Sequence, residues 1–185
     1  MSLLDIHLLG SPVLRQETRV VETVTDEIRR LIDDMFETMY AAKGIGLAAP
    51  QVGRLERIAV ADVDKDPFVL MNPEIVLREG IQKGEEGCLS IPEIYGDVER
   101  AMRVVVRAQD RDGQPFERDA TELTARAIQH EIDHLHGRLF IDYLGLVKRR
   151  AALAKWEKSR QDDRSLTRQL TPDEAAAHHH RDEEL

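Results

Sequence analysis

Two imidazoles and a carboxylate crowd into one short string, Gln129-His130-Glu131-Ile132-Asp133-His134. On a helix, residues i and i+4 stack on one face about a turn apart, so His130 and His134 can both reach one metal ion. Glu131 projects roughly 100° from His130, near enough to touch a metal-held water without being a ligand. A surface helix with two solvated histidines is the competing reading, and a third ligand separates the two. Cys88, the only cysteine in the chain, is one candidate. A thiolate is a strong ligand for borderline metals, although a buried free cysteine is also common. The pattern H-E-x-x-H-x-x-G-x-x-H has Gly137 in place, but its last position is Phe140, which cannot bind metal. A zinc endopeptidase using the downstream Glu157 stays open at this point.

The elements that must position these residues follow from periodicity and caps. Thr121 to His136 reads as the helix carrying the histidines, with Asp119 or Thr121 as cap and Gly137 as terminator. Leu123, Ala127, His130 and His134 share a stripe, and Ile128, Ile132 and Leu135 form a second one beside it. Two histidines that extend an apolar face favour the metal reading. Thr25 to Lys43 is a second helix, capped by Thr25, with Asp26 and Glu27 in its first turn and Gly44 placed to end it. Its stripe of Ile28, Leu31, Ile32, Met35, Phe36 and Met39 reads as plain core. From Arg57 to Asp119 the chain is extended. Strands are expected over 58–63, 68–71, 75–77 and 102–108, with a hairpin turn at 111–114. Gly84 to Pro92 is a glycine-flanked extended piece that holds Cys88.

Gly44-Ile45-Gly46-Leu47-Ala48-Ala49 matches G-x-G-x-x-A, yet it follows a helix and runs into Pro50, so it is no dinucleotide fingerprint. Its glycines suit close backbone approach to a ligand or strand. Leu146 to about Arg160 is a last helix, docked through Leu146, Leu153 and Trp156 and rich in Lys and Arg. From Gln161 the tail is acidic and poor in apolar residues, and disorder is expected there. His178 to His180 would be at most a weak adventitious metal site. Together these readings give an α+β fold. Short mixed or antiparallel sheets pack around the central helix, with one helix before it and one after. One domain spans residues 1–160, with a tail over 161–185.

Composition narrows the function further. The net charge of −9 argues against a general nucleic-acid binder, so no specific DNA binding is expected. No apolar run reaches the length of a membrane span. Met1 to Gly10 lacks the features of a secretory signal. One cysteine excludes a disulfide within the chain and suits a reducing cytoplasm.

Three strings together resemble the peptide deformylases, over about residues 3–160. Gly44-Ile45-Gly46-Leu47-Ala48-Ala49-Pro50-Gln51, Glu86-Gly87-Cys88-Leu89-Ser90 and Gln129-His130-Glu131-Ile132-Asp133-His134 match the family's three motifs, in order. Glu122 departs from the pattern, since relatives often have glycine before the Leu123-Thr124-Ala125-Arg126 run. The resemblance implies hydrolysis of the formyl group from the N-terminal formyl-methionine of new proteins, releasing formate. It implies Cys88, His130 and His134 as ligands of one divalent ion, Fe(II) in the working enzyme, although the donor set also suits Zn(II), Ni(II) or Co(II). It implies Glu131 as proton carrier, with the Gln51 amide and the Leu89 N–H as donors to the carbonyl oxygen. The substrate would lie extended along the Ile45, Gly46 and Gly87 backbones, its methionine in a pocket formed with Leu123 and Ala127. The basic last helix resembles a ribosome-docking helix, a solvated basic face being the alternative. A family member that binds nascent chains or ribosomes without turnover is the non-enzyme alternative.

Overall fold

The computed structural model describes residues 2–171 and Glu174. It is organised by one strand buried on both faces. That strand, β3 (Ile58–Val63), has neighbours on either side. In chain order the strands are β1 (Ile6–His7), β2 (Gly46–Ala48), β3, β4 (Asp66–Glu79), β5 (Gln82–Cys88), β6 (Ile91–Arg100), β7 (Arg103–Gln109), β8 (Pro115–Thr121) and β9 (Thr167–Arg168). The helices are α1 (Asp26–Ala41), α2 (Glu122–Leu135) and α3 (Leu146–Ser159). Strands β2-β3-β4-β7-β8 form an antiparallel sheet, while β5 with β6 and β1 with β9 form two-stranded ribbons. The fold is therefore α+β, as expected.

Strand alternation splits the core in two. Ile58 and Val60 of β3, with Leu47 of β2, face α1 and pack on Leu31, Met35 and Met39. Ala59 and Ala61, with Ala48, face α2 and pack on Ile128, Ile132 and Leu135. The side toward α2 is lined with small residues, which lets that helix lie close against the sheet. A third cluster joins Ile91, Ile94 and Val98 of β6 to Phe140, Leu144 and Trp156.

Both long helices start near the expected residues, and the Thr25 side chain accepts from Ile28 N–H at the N-terminus of α1. The end of α1 differs from expectation. Lys43, not Gly44, takes the left-handed conformation (φ 58°), and Gly44 N–H reaches back to Met39 O at 2.9 Å. Gly44 instead sits against Leu89: a Cβ there would lie 2.7 Å from Leu89 Cδ1, which would have to move. Glu122, the departure noted above, opens α2 with φ 52°, a conformation that suits glycine.

The segments expected as separate strands at 68–71 and 75–77 are one strand, β4. Asn72 (φ 50°) and Pro73 interrupt the sequence pattern, and the chain absorbs them as a register shift between Met71 and Glu74. The piece from Gly84 to Pro92 is the tip of the β5–β6 hairpin. Leu146 does not dock: it is 66 % exposed at the first residue of α3, and only the later turns reach the core, through Ala152, Leu153 and Trp156. Past α3 the chain returns to pair Thr167–Arg168 with Ile6–His7. Within the tail expected from Gln161, residues 166–168 thus pair with the N-terminal segment. His178 to His180 lie outside the described residues. No described helix is long and apolar enough to cross a membrane.

Candidate active site and metal centre

Helix α2, the first turn after β2 and the tip of the β5–β6 hairpin meet at one point. Cys88, His130 and His134 bring their ligand atoms within 4.8 Å of one another. Cys88 Sγ lies 3.3 Å from His134 Nε2, which lies 3.2 Å from His130 Nε2. Bonds of about 2.0–2.3 Å meeting at tetrahedral angles give donor–donor edges of about 3.3–3.6 Å, close to these separations. The donor set therefore fits a divalent metal. Two lone-pair nitrogens and a sulfur would repel one another this close unless a cation or a shared proton lay between them.

His130 has its tautomer set from behind. Its Nδ1 lies 2.9 Å from Glu86 Oε2, so Nδ1 carries a proton and Nε2 faces Cys88 and His134. Glu86 is itself held by Arg100 (2.8 and 3.0 Å) and Arg126 (2.9 Å), both buried. Arg100 also donates to Asp133 at 2.6 Å, and Asp133 accepts from the Tyr143 hydroxyl at 2.9 Å. Burial opposes charge on Glu86, but hydrogen bonds from Arg100 and His130 outweigh it and hold the carboxyl at about 2. Burial would likewise lower His130, and hydrogen bonds to Cys88 and Glu86 overcome it, raising that imidazole well above its usual value. His134 moves the other way, lowered by burial and then by the charge of His130. Phe140 stacks on the His130 ring with centroids 6.4 Å apart, so it serves as packing for a ligand candidate.

Glu131 is 4 % exposed, and its Oε2 is buried with no hydrogen-bond partner among the described residues. Burial pushes its carboxyl up to about 7, which places it between carboxylate and acid at neutral pH. Gly46 makes room for it: a Cβ on Gly46 would run into Glu131 Oε1. The absence of a side chain at Gly46 thus accommodates the buried Glu131 carboxyl.

Gln51, 2 % exposed, sits in a 3₁₀ turn over Ala49–Val52. Its Oε1 accepts from Ala48 N–H at 2.9 Å, which orients the amide. Its Nε2 donates to Ser90 Oγ at 3.1 Å and, at a long 3.5 Å, to Cys88 Sγ. The second N–H is weakly held and available to a bound carbonyl.

A cleft of about 570 Å³ opens over these groups. Ile45, Gly46, Gln51, Gly87, Cys88, Leu89, Leu123, Ala127, His130 and Glu131 all line it, while His134 lies buried beneath. The candidate residues from the three strings, with Leu123 and Ala127, are thereby brought to one place. Glu157 is not. It lies on exposed α3 beside a separate hollow with Pro12 and Trp156, which removes the endopeptidase reading.

Sequence reasoning missed Glu86, Arg100 and Arg126 as supports, and missed Arg168 at the cleft. A signal for Glu86 existed. Residues i and i+2 of a strand share a face, so a carboxylate two before Cys88 belongs beside the ligands.

The model of the polypeptide deformylase family matches residues 3–150. The chain belongs to this family. The peptide deformylase of Alkalilimnicola ehrlichii is 54 % identical over 162 residues, covering 85 % of this chain and 91 % of its own length. That of Pseudomonas aeruginosa is 50 % identical over 162 residues, with coverages of 85 % and 96 %. Among solved structures, the deformylase of Legionella pneumophila superposes with a TM-score of 0.84 at 45 % identity, over 89 % of this chain and 99 % of that one. The deformylase of Synechococcus elongatus, solved in complex with actinonin, gives 0.79 at 47 % identity, over 82 % and 85 %.

Proposed function

We propose that this deformylase hydrolyses the formyl group from the N-terminal formyl-methionine of newly made proteins, through the cleft over α2. The observation that carries the reading is the convergence of Cys88, His130 and His134 beside a buried Glu131 with an unpartnered oxygen. Cys88, His130 and His134 would hold one divalent ion, which when bound supplies the Lewis acidity that polarises the formyl carbonyl and acidifies a water. We assign Fe(II) to the working enzyme, with Zn(II), Ni(II) and Co(II) compatible with the same donors.

The chain's own groups do the rest. Glu131 takes the proton of the attacking water on its free oxygen and passes it to the departing amine, a transfer suited to a carboxyl raised to about 7. As the carbonyl carbon becomes tetrahedral its oxygen gains charge, and the Gln51 amide and the Leu89 N–H donate to it. The peptide lies extended between the Ile45–Gly46 and Gly87 backbones, in the manner of an added strand. Ile45, Leu123 and Ala127 shelter the methionine side chain. Ile45 and Leu123 are 46 % and 48 % exposed and so free to cover a ligand.

Residues 1–160 form the catalytic unit in this reading. The setting is the cytoplasm, where a thiolate ligand stays reduced. The basic helix α3 docks on the ribosome, and co-sedimentation should weaken when Lys148, Arg149 and Arg150 become Glu. The function is tested by formate release from a formyl-methionyl peptide under anaerobic conditions, with metal assayed in the same sample. Stoichiometric formate is expected. A metal-loaded protein that releases none would be the binding-only relative.

A further inference from the structure

Beyond α3 the chain brings a guanidinium to the cleft. Leu166 O accepts from Leu8 N–H at 2.8 Å, and Leu9 N–H donates to Ser90 O at 2.8 Å, in the turn that follows Cys88. The added strand β9 is therefore tied, through β1, to the hairpin tip that lines the site. Arg168, in β9, is one of the cleft-lining residues. It lies past residue 150, where the family match ends.

Arg168 already displays an affinity. Its guanidinium holds the Glu174 carboxylate at 2.5 Å, with the two side chains 37 % and 31 % exposed. Thr171 N–H and its hydroxyl also donate to Glu174 Oε2, at 2.8 and 3.3 Å, but an exposed ion pair of this kind is weak, so a second carboxylate can compete with Glu174 for the guanidinium. The guanidinium fork matches carboxylate geometry better than a point charge does. The rest of the rim is mixed, with Lys43 against Glu85 and Glu93, and the protein as a whole is strongly acidic. Arg168 adds to this rim a guanidinium whose fork can take a carboxylate in a way that Lys43 cannot.

We propose that Arg168 is a specificity-determining residue of the cleft, which accepts an acidic side chain of the substrate downstream of the methionine in place of Glu174. The inference rests on the deformylase reading for its substrate. The rival is that Arg168 only latches residues 161–171 to the domain through Glu174. The two differ in sign. A latch is weakened alike by Arg168→Ala and Glu174→Gln, whereas a carboxylate site is emptied by the first and freed by the second.

The test uses the full-length, metal-loaded protein and C-terminally amidated formyl-Met-Ala-Glu and formyl-Met-Ala-Lys peptides. KM should favour the Glu peptide by roughly two- to fivefold, the range of an exposed ion pair. Arg168→Ala should bring the ratio to about one, Arg168→Glu should invert it, and Glu174→Gln should enlarge it, with the changes falling on KM and not on kcat. The same ratios are read as Kd values of fluorescently labelled peptides, which needs no turnover. A ratio that is the same in wild type and Arg168→Ala, or Arg168→Ala and Glu174→Gln moving together, would overturn the proposal. So would a preference seen only with free C-terminal carboxylates. A wild type that binds with the expected ratios but releases no formate would instead overturn the deformylase reading.

Discussion

Helices α2 and α3 are both 14 residues long and both carry many polar residues, yet they use them in opposite ways. In α2 the buried residues include Arg126, Gln129, Glu131 and His134, whereas α3 buries only Trp156. Burying a polar group is expensive unless it is partnered, and along α2 the partners are visible. Arg126 meets Glu86, and Gln129 bonds Ala101 and Ala125. Two atoms of α2 lack a partner among the described residues, a Glu131 oxygen and His134 Nδ1, and both belong to the site. Basic residues on α3 stay in water, and pairs such as Lys148–Asp97 at 3.9 Å add little. The site is marked by buried polarity that is paired around it and left unpaired at Glu131 and His134.

Substitutions can break that contrast. The largest catalytic effect is expected from Glu131→Gln, which keeps size and burial but cannot carry the proton; kcat should fall by about 10²–10⁴ while metal content holds. Equal losses of metal and kcat would make Glu131 a ligand instead. Gln51→Leu should lower kcat by about 10²–10³, the cost of one donor to a developing oxyanion, again with metal retained. Glu86→Gln should weaken metal affinity by about 10–100-fold, since it orients His130. It should also destabilise the fold by about 3–5 kcal/mol by leaving Arg100 and Arg126 short of a counter-charge, read as a lowered denaturation midpoint. An unchanged metal affinity would show that the network is structural only. At the small end, Lys148→Ala on α3 should shift stability by less than about 0.5 kcal/mol. A larger loss would mean that α3 is held by its charges and erase the contrast.

How much of this the sequence reveals also divides along the same line. The helices are legible because their apolar residues repeat at helical spacing and their starts carry Thr25 and Thr121. The trio Cys88, His130 and His134 is legible because two of its donors share a turn and the single cysteine supplies the third. Strands β5 and β6 are harder. Over 82–100 charged residues and three glycines interrupt the apolar ones, and the burial that makes them strands comes from distant partners such as Arg126 and Phe140. Pro73 hides the continuity of β4, because a bulge is a property of the pair of strands and not of one. Arg168 is invisible for a related reason. Its segment is acidic and apolar-poor, and its place depends on two backbone pairings with Ile6 and His7.

The central claim is that Cys88 turns a two-histidine helix into a hydrolytic metal site. It is tested most directly by Cys88→Ala, purified anaerobically, with metal per chain and formate release from a formyl-methionyl peptide measured on the same sample. Loss of both, with the thermal transition still cooperative, is the predicted result. One metal per chain and sustained formate release from that variant would contradict it.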